Sequence, residues 1–369
     1  MRHASALWGS PRSSASVPLL VAAQLLASLA AAPANPAPAG VTCATCHEKE
    51  GRTQPQTAMA RAMLPPDAVP VLQKRPRLTF TQGVYTWQLE RRGGDVTYTV
   101  TDGTNSLALP VRWIFGAAAQ TYVLEYDNRF YESRVSYYPA IDGLDFTVGD
   151  QKAHLETVTE AMGRETSAHE IQTCFECHST GAVVGDRLEP VSSTPGVQCE
   201  HCHRGADRHL RGIVRGELDS VPPRLGRMAA EDTSNFCGQC HRSWGEVVRG
   251  RLFSQANVRF QPYRLTQSKC YDGSDPRISC LACHDPHRNL VTDDALYDAK
   301  CLACHARSAV AVARSEPHGA SGKPMARPCP VASSGCTGCH MPKTMMPHAH
   351  RAWTDHFIRV VRAGAPYPE

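Results

Sequence analysis

Cys174-Phe175-Glu176-Cys177-His178 and Cys199-Glu200-His201-Cys202-His203 open a stretch in which one five-residue pattern occurs six times. The remaining copies are Cys237/Cys240/His241, Cys280/Cys283/His284, Cys301/Cys304/His305 and Cys336/Cys339/His340, and a seventh, Cys43/Cys46/His47, stands alone near the N-terminus. With 16 cysteines and 17 histidines in 369 residues, chance would supply about 0.03 copies of Cys-x-x-Cys-His. The pattern therefore decides how the chain is organised.

Its spacing is the attachment signature of c-type haem. Two thiols separated by two residues can each form a thioether to a vinyl group, and the adjacent imidazole then lies under the iron as proximal ligand. Seven covalently attached haem c groups, each with its iron, are the expected cofactors. Zinc knuckles are the competing use of paired cysteines, but zinc does not require a histidine directly after every second cysteine. A thioredoxin-like motif occurs once, beside a βαβ unit. A disulfide framework would leave seven histidines without a role.

Residues 1 to about 34 read as a secretory signal: Arg2 and Arg12 give a positive start, Val17 to Ala32 is an apolar run too short to span a bilayer, and Ala30-Ala31-Ala32 offers small residues for cleavage. A periplasmic or extracellular location is expected, with a Pro/Ala-rich linker and the first attachment site over residues 35–76. The formal charge of +4 falls to about +2 without the signal. Haem propionates would carry it to about −5 oxidised and about −12 reduced. Nucleic acid is thus excluded as a partner.

Residues 77–149 hold no cysteine. Tyr85, Trp87 and Leu89, then Val96, Tyr98 and Val100, alternate with polar residues around Gly93-Gly94-Asp95, the period-two pattern of half-buried antiparallel strands. Asp102-Gly103 marks another turn, and Tyr122–Tyr126 with Phe130–Val135 around Asp127-Asn128 reads as a hairpin. A small β-meander is expected here, as a cover for one or two haems or as a docking face presenting Trp113 and Tyr137-Tyr138. The six-site region then runs over residues 150–369, with proximal histidines 25, 38, 43, 21 and 35 residues apart. The shortest gaps leave no room for a domain between attachment sites. Helices are expected over Thr57–Met63, over Thr233–Leu252, and over Thr354–Val361 with Asp355 in the first turn. The fold class is a mostly irregular and α multihaem cytochrome with a small antiparallel β insert, its core formed by haems.

The distal iron ligands must come from elsewhere. Spare histidines are His154, His169, His201, His209, His287, His318, His348, His350 and His356, and neutral imidazole is the commonest biological metal ligand. His201 lies inside an attachment loop and is the weakest of these. His287 and His209 follow His284 and His203 too closely to reach the opposite face of the same haem, so each would ligate a different one. Met59 is a further candidate, whose thioether would raise the potential of the first haem. Cys270 and Cys329, outside the motifs, read as a disulfide in an exported protein.

The sequence resembles the multihaem superfamily that includes cytochrome c nitrite reductase, hydroxylamine oxidoreductase and their electron-carrying relatives. The resemblance rests on Cys43-Ala-Thr-Cys46-His47 with Thr57-Ala58-Met59-Ala60, on Cys199-Glu-His-Cys202-His203 with His209, and on Cys280-Leu-Ala-Cys283-His284-Asp285-Pro286-His287. It extends to His340-Met341-Pro342-Lys343 with His350 and Thr354-Asp355-His356. It implies distal ligation by His209, His287 and the C-terminal histidines, and an iron ligand at the position of Met59. The Cys-x-x-Cys-Lys motif of the nitrite reductase branch does not occur. Nor does anything beside the motifs mark the cross-linked tyrosine of the hydroxylamine branch.

Together these features predict an exported heptahaem cytochrome relaying electrons through closely packed, mostly bis-histidine haems. The alternatives are a reductase or oxidase of small nitrogen or sulfur compounds at one open haem, and a subunit of an extracellular cytochrome filament. Expected partners are redox proteins, membrane-bound quinol-oxidising or reductase complexes touched peripherally, and further copies of the chain.

Overall fold

The alternation over residues 85–101 builds a four-stranded antiparallel meander. It is made of β2 (Arg77–Gln82), β3 (Tyr85–Arg92), β4 (Asp95–Thr101) and β5 (Ser106–Pro110), paired in that order. Trp87 lies opposite Val100, and Leu89 opposite Tyr98. All four are buried, as period two requires of one face. The computed structural model describes residues 41–150, 154–217, 219–306 and 327–368. The leader expected over 1–34 and the candidate His318 lie outside them.

A second antiparallel sheet carries β1 (Met63–Leu64), β6 (Trp113–Phe115), β7 (Gln120–Tyr126) and β8 (Arg129–Tyr138) in that order. The far edge of β8 is shared. Residues 131–133 pair with β10 (Gly163–Glu165), and residues 135–138 pair with β9 (Gly143–Phe146). The β7–β8 hairpin turns on Asp127 (φ 50°) and Asn128 (φ 57°), the double left-handed geometry of a two-residue type I′ turn. The sheet thus recruits β1 and β10 from either side of residues 77–149 and is not a self-contained insert.

One face of this sheet closes on the meander in a single apolar core, with Trp87, Leu89 and Tyr98 meeting Ile114, Tyr122, Leu124 and Val135. Two of its polar ends are satisfied across the core: Trp87 Nε1 donates to Ala161 O (2.7 Å) and Tyr98 Oη to Met162 O (2.9 Å). The other face takes Phe175, Ile171 and Ala182 against Met63, Phe115 and Val123. Phe175 sits between the cysteines of the second motif and is fully buried, edge-on to Trp113 and Phe115 at ring-centroid distances of 5.3 and 5.1 Å. The β structure therefore positions the second motif through one of its own intervening residues.

Several local expectations are corrected. Tyr137 and Tyr138 are buried, and Trp113 packs on Phe130 and Phe175, so these side chains present no docking face. Thr57–Met63 is a turn leading into β1, because the Ala62 carbonyl is taken by Gly116 N (2.7 Å) and by His178 Nδ1 (2.9 Å). The helix expected over Thr233–Leu252 is two helices, Ala230–His241 and Trp244–Gly250, broken where Arg242 turns to φ 62°. Ser243 and Glu246 form a capping box at the restart, a signal legible as Ser-x-x-Glu. No helix forms over Thr354–Val361. Ala352–Thr354 pairs instead as a strand with Lys343–Met345, and Asp355 turns inward to an arginine.

Candidate haem-attachment site

Every one of the seven motifs folds as one turn of helix. Four are short turns on their own, Cys43–Cys46, Cys199–Cys202, Cys280–Cys283 and Cys336–His340. Three are the last turn of a longer helix, Ala168–His178, Ala230–His241 or Asp294–His305. Residues three apart in a helix share a face. The x-x spacing therefore presents both sulfurs to the same side.

Six of the motifs converge on one cavity of ≈ 3000 Å³, which both cysteines and the histidine of each line. A site for one small molecule is about 300–1,000 Å³, so the space suits several large groups. The seventh motif departs from the expectation of a shared interior. Cys339 is exposed, and neither it nor Cys336 nor His340 lines the cavity; only Thr337 and Gly338 of that motif do. The reason is the orientation of its turn. Cys336 and Cys339, three apart, share one face, while Thr337 between them is tied by its hydroxyl to Asp294 Oδ1 (2.8 Å) on the neighbouring helix. Cys336 and Cys339 thus lie at the margin of this cavity.

Contacts between motifs establish an order the chain does not follow. Cys43 of the first touches Cys199 of the third, and Cys177 of the second touches Cys240 of the fourth. Cys237 of the fourth touches Cys280 of the fifth, and Cys301 of the sixth touches Cys336 of the seventh. The fourth motif is thus a junction between the second and the fifth.

The last of these contacts is fixed by Asp298, buried on the helix that carries the sixth motif. Its carboxylate accepts from Gly335 N and Cys336 N, both at 2.7 Å, which cap the turn of the seventh. Those hydrogen bonds hold its carboxyl below the usual range. In Asp298→Ala, hydrogen exchange at the Gly335 and Cys336 amides should quicken by about tenfold. Unchanged exchange would remove Asp298 from this role.

Backbone carbonyls fix the tautomer of several imidazoles. His178 Nδ1 faces Ala62 O (2.9 Å), His305 Nδ1 faces Arg327 O (3.0 Å) and His340 Nδ1 faces Arg359 O (2.9 Å). Among the distal candidates, His209 Nδ1 faces Ser220 O (2.8 Å) and His356 Nδ1 faces Thr354 O (3.0 Å). A carbonyl oxygen only accepts, so each Nδ1 carries the proton and Nε2 keeps its lone pair, the usual arrangement behind a metal-ligating histidine. Burial lowers the pKa of His178, His203, His241 and His284, and takes His356 down to about 4. These rings stay neutral, the form that binds iron.

Two ring pairs bring proximal and distal candidates together. His203 and His287 are parallel to within 7° with centroids 6.1 Å apart, and His284 and His356 stand 6.2 Å apart. A metal–imidazole bond is about 2.0 Å, and the ring centre lies about 1.1 Å beyond the nitrogen. Two imidazoles on opposite sides of one metal therefore stand about 6.2 Å apart. The donor set fits haem c. Haem c, when bound, supplies an iron that accepts and returns one electron at a time.

Met59, His209, His287 and His356 all line the cavity. His154 and His169 are exposed and do not line it. His350 engages Asp145 on β9 through Nε2 (2.8 Å) and packs on Tyr138, so only its Nδ1 is open. Cys270 and Cys329 are free thiols, not a bridge, and Cys270 lies beside Cys283 and Cys304. Sequence reasoning overlooked Asp298 and the buried Arg264, and it placed Asp355 in a helical turn, not against Arg264 and the half-buried Arg359. Asp298 lies three residues before Cys301 on one helical face, a spacing that offered a weak signal.

Thiol pairs on helical turns and proton-fixed imidazoles define a c-type cytochrome, an electron carrier with covalently bound haem c. In agreement, residues 146–204, which hold the second and third motifs, match the model of the family described as cytochrome c554 and c-prime. No curated protein and no solved structure matches the chain.

Proposed function

We propose that the chain is an exported heptahaem cytochrome that relays electrons one at a time between redox partners. The carrying observation is the pair of facing imidazole sets, His203 with His287 and His284 with His356, at separations suited to six-coordinate iron. Iron held by two strong axial ligands changes little in geometry on reduction, and axial-ligand choice sets the potential of each step. The core would be made by the haems of the first six motifs, wrapped by short helical turns and covered on one side by the β sheets. The haem on Cys336 and Cys339, at the margin of the shared cavity, would be the one nearest solvent and a port for exchange with a partner. Crossed ligation, in which His287 serves the third haem and His356 the fifth, would tie cofactor loading to folding. Met59 and His209, on the same cavity, are the proposed ligands for further haems. The signal-like N-terminus supports export. Membrane-bound quinol-oxidising or reductase complexes and further copies of this chain are the proposed contacts.

The test has two parts. The purified protein should contain seven haems by pyridine haemochrome assay, and its oxidised form should give low-spin resonances in electron paramagnetic resonance. His287→Ala should then convert about one seventh of the iron to a high-spin signal, since one axial bond is lost from one haem. A variant spectrum identical to that of the parent would remove His287 from the ligand set. A large high-spin signal in the parent itself would instead favour a reductase or oxidase with an open haem.

A further inference from the structure

We propose that Arg259 binds a propionate carboxylate of the haem carried by Cys237, Cys240 and His241. The proposal rests on the haem reading above and adds a residue to it. Arg259 ends the short 3-10 turn Gln255–Arg259, just ahead of the helix Gln261–Thr266. Its side chain lines the cavity. Its Nε is closed off from solvent and has no hydrogen-bond partner. Among the described residues no carboxylate forms an ion pair with it, and its guanidinium lies over the Phe260 ring at 6.0 Å.

Two buried guanidiniums elsewhere do have a carboxylate partner. Arg264, five residues later, is matched by the Asp355 carboxylate at 2.8 and 2.9 Å, and Arg134 by Asp150 at 3.3 Å. A guanidinium cannot shed its proton in a protein, and an uncompensated charge in the interior is strongly destabilising. Burial pushes the pKa of Arg259 down, and the neighbouring Arg242 guanidinium adds to that. Arg242 is itself paired with Glu246 at 3.5 Å, so the cation without a counter-charge is Arg259, and its place on the cavity calls for an anion there.

Placement identifies which one. Arg242 directly follows His241, and Tyr263 N donates to Arg242 O at 3.3 Å, which draws the segment after Arg259 onto the fourth motif. Gln261, two residues beyond Arg259, lies against His241. The group this motif anchors carries two carboxylates on its periphery, and the planar fork of arginine pairs with a carboxylate through two parallel hydrogen bonds.

The experiment is a potentiometric titration of the haem-loaded protein and its Arg259→Gln variant. Removing a cation beside an iron favours the oxidised state, so one midpoint should fall by about tenfold in its reduction equilibrium, 59 mV for a one-electron step. Arg259→Lys, which keeps the charge without the fork, should show less than half that shift. Resonance Raman of the propionate bending modes in the lysine variant supplies a second readout and should show the mode of one haem displaced. Seven haems with every midpoint and bending mode unmoved would overturn the role of Arg259 and leave the cytochrome reading standing. A protein without covalent haem would overturn both.

Discussion

Replacing Arg264 by methionine is expected to destabilise the protein by about 3–5 kcal/mol, the effect of breaking a buried ion pair from one side. Arg264 and Asp355 are both fully buried and meet through two parallel hydrogen bonds of 2.8 and 2.9 Å. Arg264 Nη1 also donates to Pro368 O at 2.7 Å, and its guanidinium lies over the rings of Tyr367 and Phe357 at 4.7 and 5.3 Å. The one side chain therefore ties down the C-terminal segment. Burial alone would raise the Asp355 carboxyl, but the hydrogen bonds from Arg264, Phe357 N and Arg359 hold it below its usual range. Without Arg264 the carboxylate keeps only Arg359 as a cationic partner, at 2.6 Å.

The consequence reaches two candidate iron sites. His356 follows Asp355 directly, and Arg359 offers its carbonyl to His340 Nδ1. Guanidinium unfolding of Arg264→Met should show the loss, and Arg264→Met with Asp355→Leu should recover part of it, because no charge is then stranded in the fully buried site and the partly exposed Arg359 can turn to water. A double variant as unstable as the single one would show that packing of the tail, not the ion pair, carries the effect.

Gly196→Ala is expected to destabilise by at least about 3 kcal/mol, from the left-handed conformation together with a clash. Gly196 has φ +75°, and a Cβ there would overlap the backbone carbonyl of Ala60. The close approach joins three attachment sites. Gly196 N donates to His178 O (3.1 Å), Val197 N to Met59 O (3.0 Å), and Gln54 Nε2 to Val197 O (2.7 Å). Gly185 is the control. Its φ is +62°, but nothing lies within 4 Å of where its Cβ would be, so Gly185→Ala should lose only about 1–2 kcal/mol. Equal losses in denaturant for the two variants would mean that the crossing at Ala60 tolerates a methyl group.

These two sites also show where local reading stops. Gly196 is one glycine in a loop, and nothing near it in sequence announces Ala60, far upstream. Arg264 and Asp355 are 91 residues apart, and Asp355 was read as the first turn of a helix that does not form. The hairpin at Asp127-Asn128 and the alternation around Trp87 and Tyr98 were legible because turn chemistry and period two act between near neighbours. The capping box at Ser243 and Glu246 was equally local, but the continuous apolar pattern through Val247 and Val248 masked it.

What the sequence determined by itself is the chemistry of attachment. Two thiols and an imidazole at fixed local spacing fall on one helical turn whatever surrounds them, and seven repetitions leave little room for another reading. Only the tertiary structure decided which motif lies beside which, which histidine faces His203 and which faces His284, that His350 is held by Asp145, and that Cys339 stands exposed outside the cavity the other six motifs share. Those placements join residues tens to hundreds of positions apart. They follow from how the sheets and turns close around a common interior, and no periodicity along the chain encodes that closure.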